Sequence, residues 1–417
     1  MAFIWLLLYL VVLYLRPGEW IPFFATWRLV PLVTAGSLFF LGFQLAVTKQ
    51  PPPKIPHTRL MLGLFAAVIG SQLIHGYMAG ATSAFNEFLP NLTLYLLIVN
   101  IVNSQAKFKM TLWVLVLLSA FMAAQGIQQY WTGVGWAGQP PIWETGSWQA
   151  RITWLGIFAD PNDLALAFVI VVPVLLSMLF ARSFFLLKLL PMALTGLLVY
   201  GIYLTNSRGG MLALMASIAF FFIRRSRWVV PGTFFGGSCA MLAFLFGPSR
   251  LGMGEMDDSA YARLDAWYYG FQLLKENPVL GAGQNMFTDD YPLTAHNSFV
   301  LAFAELGIVG FLCWVGLLYV AFRGLALLKR HPNPLIPRYA VGLQASLVGF
   351  ASAAFFLSRT YTVLPYLLAG LCGALSNVAR LQVKEFEYVF TRKDLRNILW
   401  TSLGILVLLQ VAMKTWL

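Results

Sequence analysis

Charge is what this sequence has least of. Over 417 residues only 11% are Asp, Glu, Lys or Arg, where soluble domains carry about a quarter, and that shortfall excludes a soluble globular fold. Cysteine is nearly missing. Cys239, Cys313 and Cys372 sit in three separate apolar runs without CxxC spacing, which excludes a disulfide framework and a zinc site and leaves them as packing residues. The period-two alternation of a membrane β-barrel is missing as well. No internal repeat of the kind many transporters carry is visible.

What is present is apolar length. Hydrophobic residues make up 59% of the chain, gathered into runs of about 15 to 24 residues, which is the length that crosses a bilayer as a helix. The fold class expected is an all-α polytopic membrane protein with about 12 to 13 transmembrane helices and a periplasmic loop carrying an amphipathic helix. Spans are expected near 2–15, 29–47, 59–78, 88–103, 110–131, 162–181, 186–205, 209–223, 228–246, 297–322, 340–358, 361–379 and 398–416. They divide into an N-terminal bundle over 1–246 with an outer loop at 132–161, a periplasmic loop over 247–296, and a C-terminal bundle over 297–417. Met1 to Leu15 has no basic leading stretch and no A-x-A site, so it is read as a retained first helix.

Lys and Arg cluster in every second connection: Lys49, Lys54 and Arg59; Lys107 and Lys109; Arg182 and Lys188; Arg224, Arg225 and Arg227; Arg323, Lys329, Arg330 and Arg338; Arg380 to Arg396. That alternation puts the N-terminus in the cytoplasm and the C-terminus outside. The net charge of +12 is then a matter of topology, with anionic inner-leaflet lipid as partner and no nucleic acid required. The proline-rich run at 50–56 reads as a stiff connector.

Four arginines break the bias. Arg151, Arg208, Arg263 and Arg359 fall at the outer ends of apolar segments, where a charge is kept for a job. Several guanidinium groups suit a diphosphate. Arg208 lies in Thr205-Asn206-Ser207-Arg208-Gly209-Gly210, where backbone N–H groups at a helix start would cradle an anion. No Gly-Lys-Ser/Thr follows, so this is not a Walker A loop. Arg263 lies in a helix expected over 259–276, with Leu264, Trp267/Tyr268, Phe271 and Leu274 at helical spacing and a place in the membrane interface.

The outer loop at 132–160 carries Trp136, Trp143, Trp148 and Trp154, as an interfacial belt or as stacking faces for sugar. It ends in Asp160-Pro161-Asn162-Asp163, where Asp160 or Asn162 caps a helix and Asp163 would hold Arg151 or another arginine, or a substrate hydroxyl. His296, followed by Asn297, opens the tenth span. The helix dipole there favours neutral imidazole, the form a general base needs. Glu305 in the same span needs a partner.

Asn206-Ser207-Arg208-Gly209-Gly210, the outer loop with Arg263 and Pro278-Val-Leu-Gly281-Ala-Gly283, and Ala295-His296-Asn297-Ser298 with Glu305-Leu-Gly307-Ile-Val-Gly310 resemble the O-antigen ligase and O-antigen polymerase superfamily. The resemblance covers about 200–312. It implies a polyprenyl (undecaprenyl) diphosphate-linked glycan as donor and an acceptor hydroxyl on glycan, lipid or protein, joined at the periplasmic face of a bacterial inner membrane. It maps diphosphate binding onto Arg208 and Arg263 and catalysis onto His296. The outer loop is shorter than is usual in that superfamily, and the acceptor stays open.

The mechanism expected is inverting attack by the acceptor hydroxyl. His296 takes its proton, and Arg208, Arg263 and Arg151 stabilise the leaving diphosphate. Asp163, Asn162, Asn297, Glu305 and Arg359 support the site or bind substrate, and no metal or other cofactor is expected. The rival chemistry puts a metal on Asp257-Asp258 or Asp289-Asp290. Repeat-unit polymerisation and non-enzymatic transport of a lipid-linked glycan are the alternative functions. An intramembrane protease is disfavoured, since no Ser/His or Cys/His pair stands out.

Overall fold

The computed structural model describes residues 1–49, 52–143, 149–181, 184–225, 258–289 and 291–416. The span expected at 228–246, with Cys239, Trp148, Arg182, Arg227, Asp257 and Asp290, lies outside the described residues, as do the side chains of Asp258 and Ser259.

Among the described residues, helices of two turns or more are α1 (Ala2–Leu15), α2 (Leu29–Thr48), α3 (Pro56–Leu73), α4 (Met78–Ile101), α5 (Gln105–Thr132), α6 (Pro161–Leu179), α7 (Leu186–Leu204), α8 (Arg208–Arg225), α9 (Asp258–Glu276), α10 (Ser298–Leu327), α11 (Leu335–Ala354), α12 (Val363–Gln382) and α13 (Arg392–Trp416). A two-strand antiparallel hairpin, Ile142–Trp143 against Ala150–Arg151, is their only sheet. The protein is an all-helical, multi-pass membrane protein. Eight helices (α2, α4, α5, α6, α7, α10, α12 and α13) are long and apolar enough to cross a bilayer. Of the thirteen spans expected, the one at 228–246 lies outside the described residues, and four others form helices that fall short of these criteria. Helix α1 is short for a span, while α3, α8 and α11 carry His57, Arg59 and Gln72, Arg208 and Arg224, or Arg338 and Gln344 inside their length.

Two boundaries differ from the expected spans. Helix α4 starts ten residues before the span expected from 88, its first turns including Ser83, which donates to Glu87 one turn on (2.9 Å). Helix α3 stops at Leu73, ahead of a turn through Gly76 at φ 70°.

Small residues decide which helices are central. Gly370 of α12 meets Ile98 of α4, and Gly373 meets Val99 and Ile55. Gly342 and Gly349 of α11 meet Ser177 and Val169 of α6, and Ser346 donates to the Ile170 carbonyl (2.6 Å). Such residues let membrane helices approach closely. Helices α2, α7 and α13 instead expose apolar side chains along their length, including Phe39 and Phe43, Leu187 and Leu190, and Trp400 and Leu408. Faces of that size are stable only against lipid or protein.

Helix α10 is broken at Gly307 (φ 61°, ψ −165°). A break strands backbone donors and acceptors, and in a membrane protein these must be satisfied internally. The segment 278–283 does this. The Ile308 and Val309 N–H groups donate to the Pro278 and Val279 carbonyls (2.9 and 3.2 Å), and the Ala282 and Gly283 N–H groups donate to the Ala304 and Glu305 carbonyls (both 3.0 Å). The approach is so close that a Cβ on Gly281 would lie 2.3 Å from the Glu305 carbonyl carbon. The segment is also pinned to α3 and α4. Gln72 Nε2 donates to the Gln284 carbonyl (2.6 Å), and Asn285 Nδ2 donates to Glu87 (2.7 Å).

Candidate functional site

Four stretches of chain meet at one end of the bundle, where α6, α8 and α10 begin. In the first, Asp160 caps α6, its Oδ1 accepting from the Asn162 N–H (2.6 Å), with Pro161 in the first turn. In the second, Asn206 adopts φ 52°, and Ser207 Oγ accepts from the Gly210 N–H (3.1 Å) and donates to Asn162 Oδ1 (2.7 Å). Arg208 is then the first residue of α8 and is exposed. The anion cradle is therefore narrower than expected, because Ser207 occupies the Gly210 N–H. Gly210 itself serves packing, since a Cβ there would lie 2.7 Å from that of Ala165 on α6.

In the third stretch, Asn297 is fully buried and caps α10, accepting from the Phe299 and Val300 N–H groups (2.9 and 3.2 Å), while its Nδ2 has no partner among the described residues. The residue before it, His296, has φ 47°, a conformation that costs a non-glycine residue on the order of 1 kcal/mol and is found where function holds it. In the fourth, Ser298 Oγ donates to the Leu357 carbonyl (2.5 Å) and accepts from the Arg359 N–H (2.7 Å), and Thr294 donates to Ser358 (2.8 Å). These bonds fix the 357–360 turn against the start of α10.

The arginines sort by partner. Asp163 forms an ion pair with Arg359, not Arg151, and Asp160 pairs with the same guanidinium (3.3 Å). Arg151 is held by neutral acceptors: Nε donates to the Thr205 carbonyl (2.9 Å) and Nη2 to Asn162 Oδ1 (3.2 Å). Arg263 sits one turn before Trp267, whose indole N–H donates to the carbonyl of Ala295 (3.1 Å), the residue next to His296. Burial first, then the Arg263 and Arg359 charges, hold the His296 imidazole below its ordinary value of 6.5, with Asp160 pulling the other way. A half-buried, neutral imidazole therefore stands among fixed cations.

Residues 193–315 match the family model of O-antigen ligase. The chain carries an O-antigen ligase domain over those residues. The family implies glycan transfer of the ligase or polymerase type from lipid-linked substrates. No curated protein matches the chain. The ligase domain contains Arg208, Arg263, His296, Asn297 and Glu305. Arg151, Asp160, Asn162, Asp163 and Arg359 lie outside it, and the fold brings them onto it.

Within the ligase domain Glu305 has the partner its burial requires, while the surface met by α9 differs from the one expected. Glu305 is buried at the α10 break, where its Oε1 accepts from the Phe287 N–H (3.1 Å) and Tyr361, just past the Arg359 turn, lies beside its carboxyl. The amphipathic helix α9 turns its stripe inward. Leu264, Ala266, Trp267 and Phe271 are buried, with Phe271 against Phe303 and Trp267 against Phe355, while Tyr268 is exposed. Gly270, where a Cβ would meet Val300 at 2.5 Å, permits that contact.

Of the loop tryptophans, Trp154 is buried and donates to the Tyr14 carbonyl (2.9 Å), a structural role, whereas Trp143 is 61% exposed and remains open to a ligand. Sequence reasoning underrated Ser298 and the Asp160–Arg359 link. Their partners lie 59 to 199 residues away, beyond the reach of local pattern.

Proposed function

We propose that this protein transfers a glycan from a polyprenyl diphosphate to an acceptor hydroxyl at the periplasmic face of a bacterial inner membrane, with inversion and without a metal. The observation that carries the reading is His296, held neutral by burial and by Arg263 and Arg359. A neutral imidazole accepts the acceptor's proton as the hydroxyl oxygen attacks the anomeric carbon. The bond from that carbon to the diphosphate breaks, and Arg208 and Arg263, with Arg151, stabilise the charge that builds on the departing oxygen. Asn297 positions His296 by capping the helix that follows it, and Asn162 positions Arg151. Asp163 and Arg359 lock α6 to the turn beside His296.

The same chemistry serves a ligase, which attaches a preassembled chain once, and a polymerase, which extends by repeat units. The test is release of polyprenyl diphosphate from a lipid-linked glycan by reconstituted protein, with and without EDTA. Chelator-resistant release that His296→Ala and Arg208→Ala abolish supports the reading, and a single addition or a ladder of products assigns ligase or polymerase. Release lost in EDTA would replace it with the metal chemistry. Glycan crossing the membrane without release would replace it with transport.

A further inference from the structure

Helices α6 and α8, which begin at the site, and α11, which ends ahead of the Arg359 turn, line a cleft at their other ends. A cavity of about 380 Å³ is lined by Ser177 and Phe180 from the end of α6, Phe221 and Arg224 from the end of α8, and Pro334, Pro337, Arg338 and Val341 at the start of α11. Along α8, Arg224 stands sixteen residues from Arg208, or about 24 Å at the helical rise. That is close to the roughly 30 Å hydrocarbon thickness of a bilayer, so with Arg208 at one interface the cleft opens at the other.

Its chemistry is one-sided. Two guanidinium groups face it and, among the described residues, no carboxylate does. Among the described residues neither arginine has an acidic partner. Arg224 is placed by Gln344, whose Oε1 accepts from its Nη2 (3.4 Å) and whose Nε2 donates to the Phe322 carbonyl (3.1 Å). Apart from Ser177, whose hydroxyl donates to the Val174 carbonyl of its own helix (2.6 Å), the remaining walls are aromatic, aliphatic or proline. Just past Phe180, the chain exposes Phe184, Phe185, Leu186, Leu187 and Leu190, which continues the apolar surface at the same end. A free anion would have no use for that surface, and an acidic peptide would be desolvated against it. An anionic glycerophospholipid matches both parts.

We propose that this cleft binds one anionic phospholipid, its phosphate on Arg224 and Arg338 and its acyl chains against Phe180, Phe221 and Val341. The lipid ties together the far ends of the helices that carry Asn162, Arg208 and the Arg359 turn. The proposal does not rest on the transferase reading, and its test contains no glycan.

Native mass spectrometry of the purified full chain decides it, with phosphatidylglycerol and phosphatidylcholine offered in separate titrations. Wild type is expected to retain one phosphatidylglycerol in preference to phosphatidylcholine, undisturbed by millimolar inorganic phosphate. Arg224→Gln and Arg338→Gln are each expected to weaken retention about tenfold, the worth of one charge-assisted contact. Val341→Trp, which keeps both charges and fills the cleft, is expected to lose the lipid as well. Arg330→Gln removes a charge at the same end outside the cleft and should change nothing. Equal retention of the two lipids, displacement by inorganic phosphate, or full retention by Val341→Trp or by the double arginine variant would overturn the proposal.

Discussion

Arg151 and Arg359 leave different loops to enter one cluster, and their partners differ in kind. Arg151 binds a carbonyl and an amide oxygen, both neutral. Arg359 binds two carboxylates. Hydrogen bonds from neutral acceptors fix a guanidinium and leave its field intact, so Arg151 can act on an anionic substrate. Two carboxylates tie Arg359 between α6 and the turn that ends α11, so it serves as a clamp while its charge still acts on the neighbouring His296. Charge of one sign in one cluster thus carries two jobs, and the partners decide which.

The structural extreme against which both are read is Gly281→Ala. With φ 74° and a Cβ that would lie 2.3 Å from the Glu305 backbone, the break in α10 cannot be sealed, and size-exclusion chromatography is expected to show loss of monodisperse protein. Next in size is Arg359→Leu, which strands Asp163. With only 17% and 14% of the two side chains exposed, the loss should be about 3 kcal/mol, as for a buried pair broken on one side. Thermal unfolding of the double variant with Asp163→Leu should recover most of it. Absence of that recovery would break the comparison from the Arg359 side.

Arg151→Gln should cost only about 1 kcal/mol of stability while reducing turnover about tenfold to a hundredfold, measured as diphosphate release. A stability loss as large as that of Arg359→Leu, with turnover per folded molecule unchanged, would place Arg151 among the clamps. The smallest expected effect is on pH. The cation at Arg263 disfavours imidazolium and so lowers the pKa of His296. Activity, which needs the neutral ring, therefore persists as pH falls below 6.5. Arg263→Gln should move the acidic limb of the rate profile upward, toward that value.

Much of this fold is legible in the chain because lipid imposes apolar length, and the eight spanning helices follow apolar runs. What escaped was helix built from polar residues that find partners only after folding, such as the 78–87 stretch, where Glu87 accepts from Gln284 and Asn285 (3.1 and 2.7 Å). The periodicity of α9 was legible, but the face it turns to the protein was not, and Gly270 was the available signal. In the site, His296, Arg208 and Arg263 announce themselves by motif. The division of labour between Arg151 and Arg359 does not, because it rests on contacts between helices distant in sequence.

The central claim is that His296 performs chemistry while the arginines hold the diphosphate. Donor affinity and single-turnover rate measured together, in reconstituted wild type, His296→Ala and Arg208→Ala, separate the two roles. The account predicts that His296→Ala binds the lipid-linked donor as wild type does but turns over about a thousandfold more slowly, whereas Arg208→Ala loses affinity and rate together. Wild-type turnover by His296→Ala, or donor binding untouched in Arg208→Ala, would contradict it.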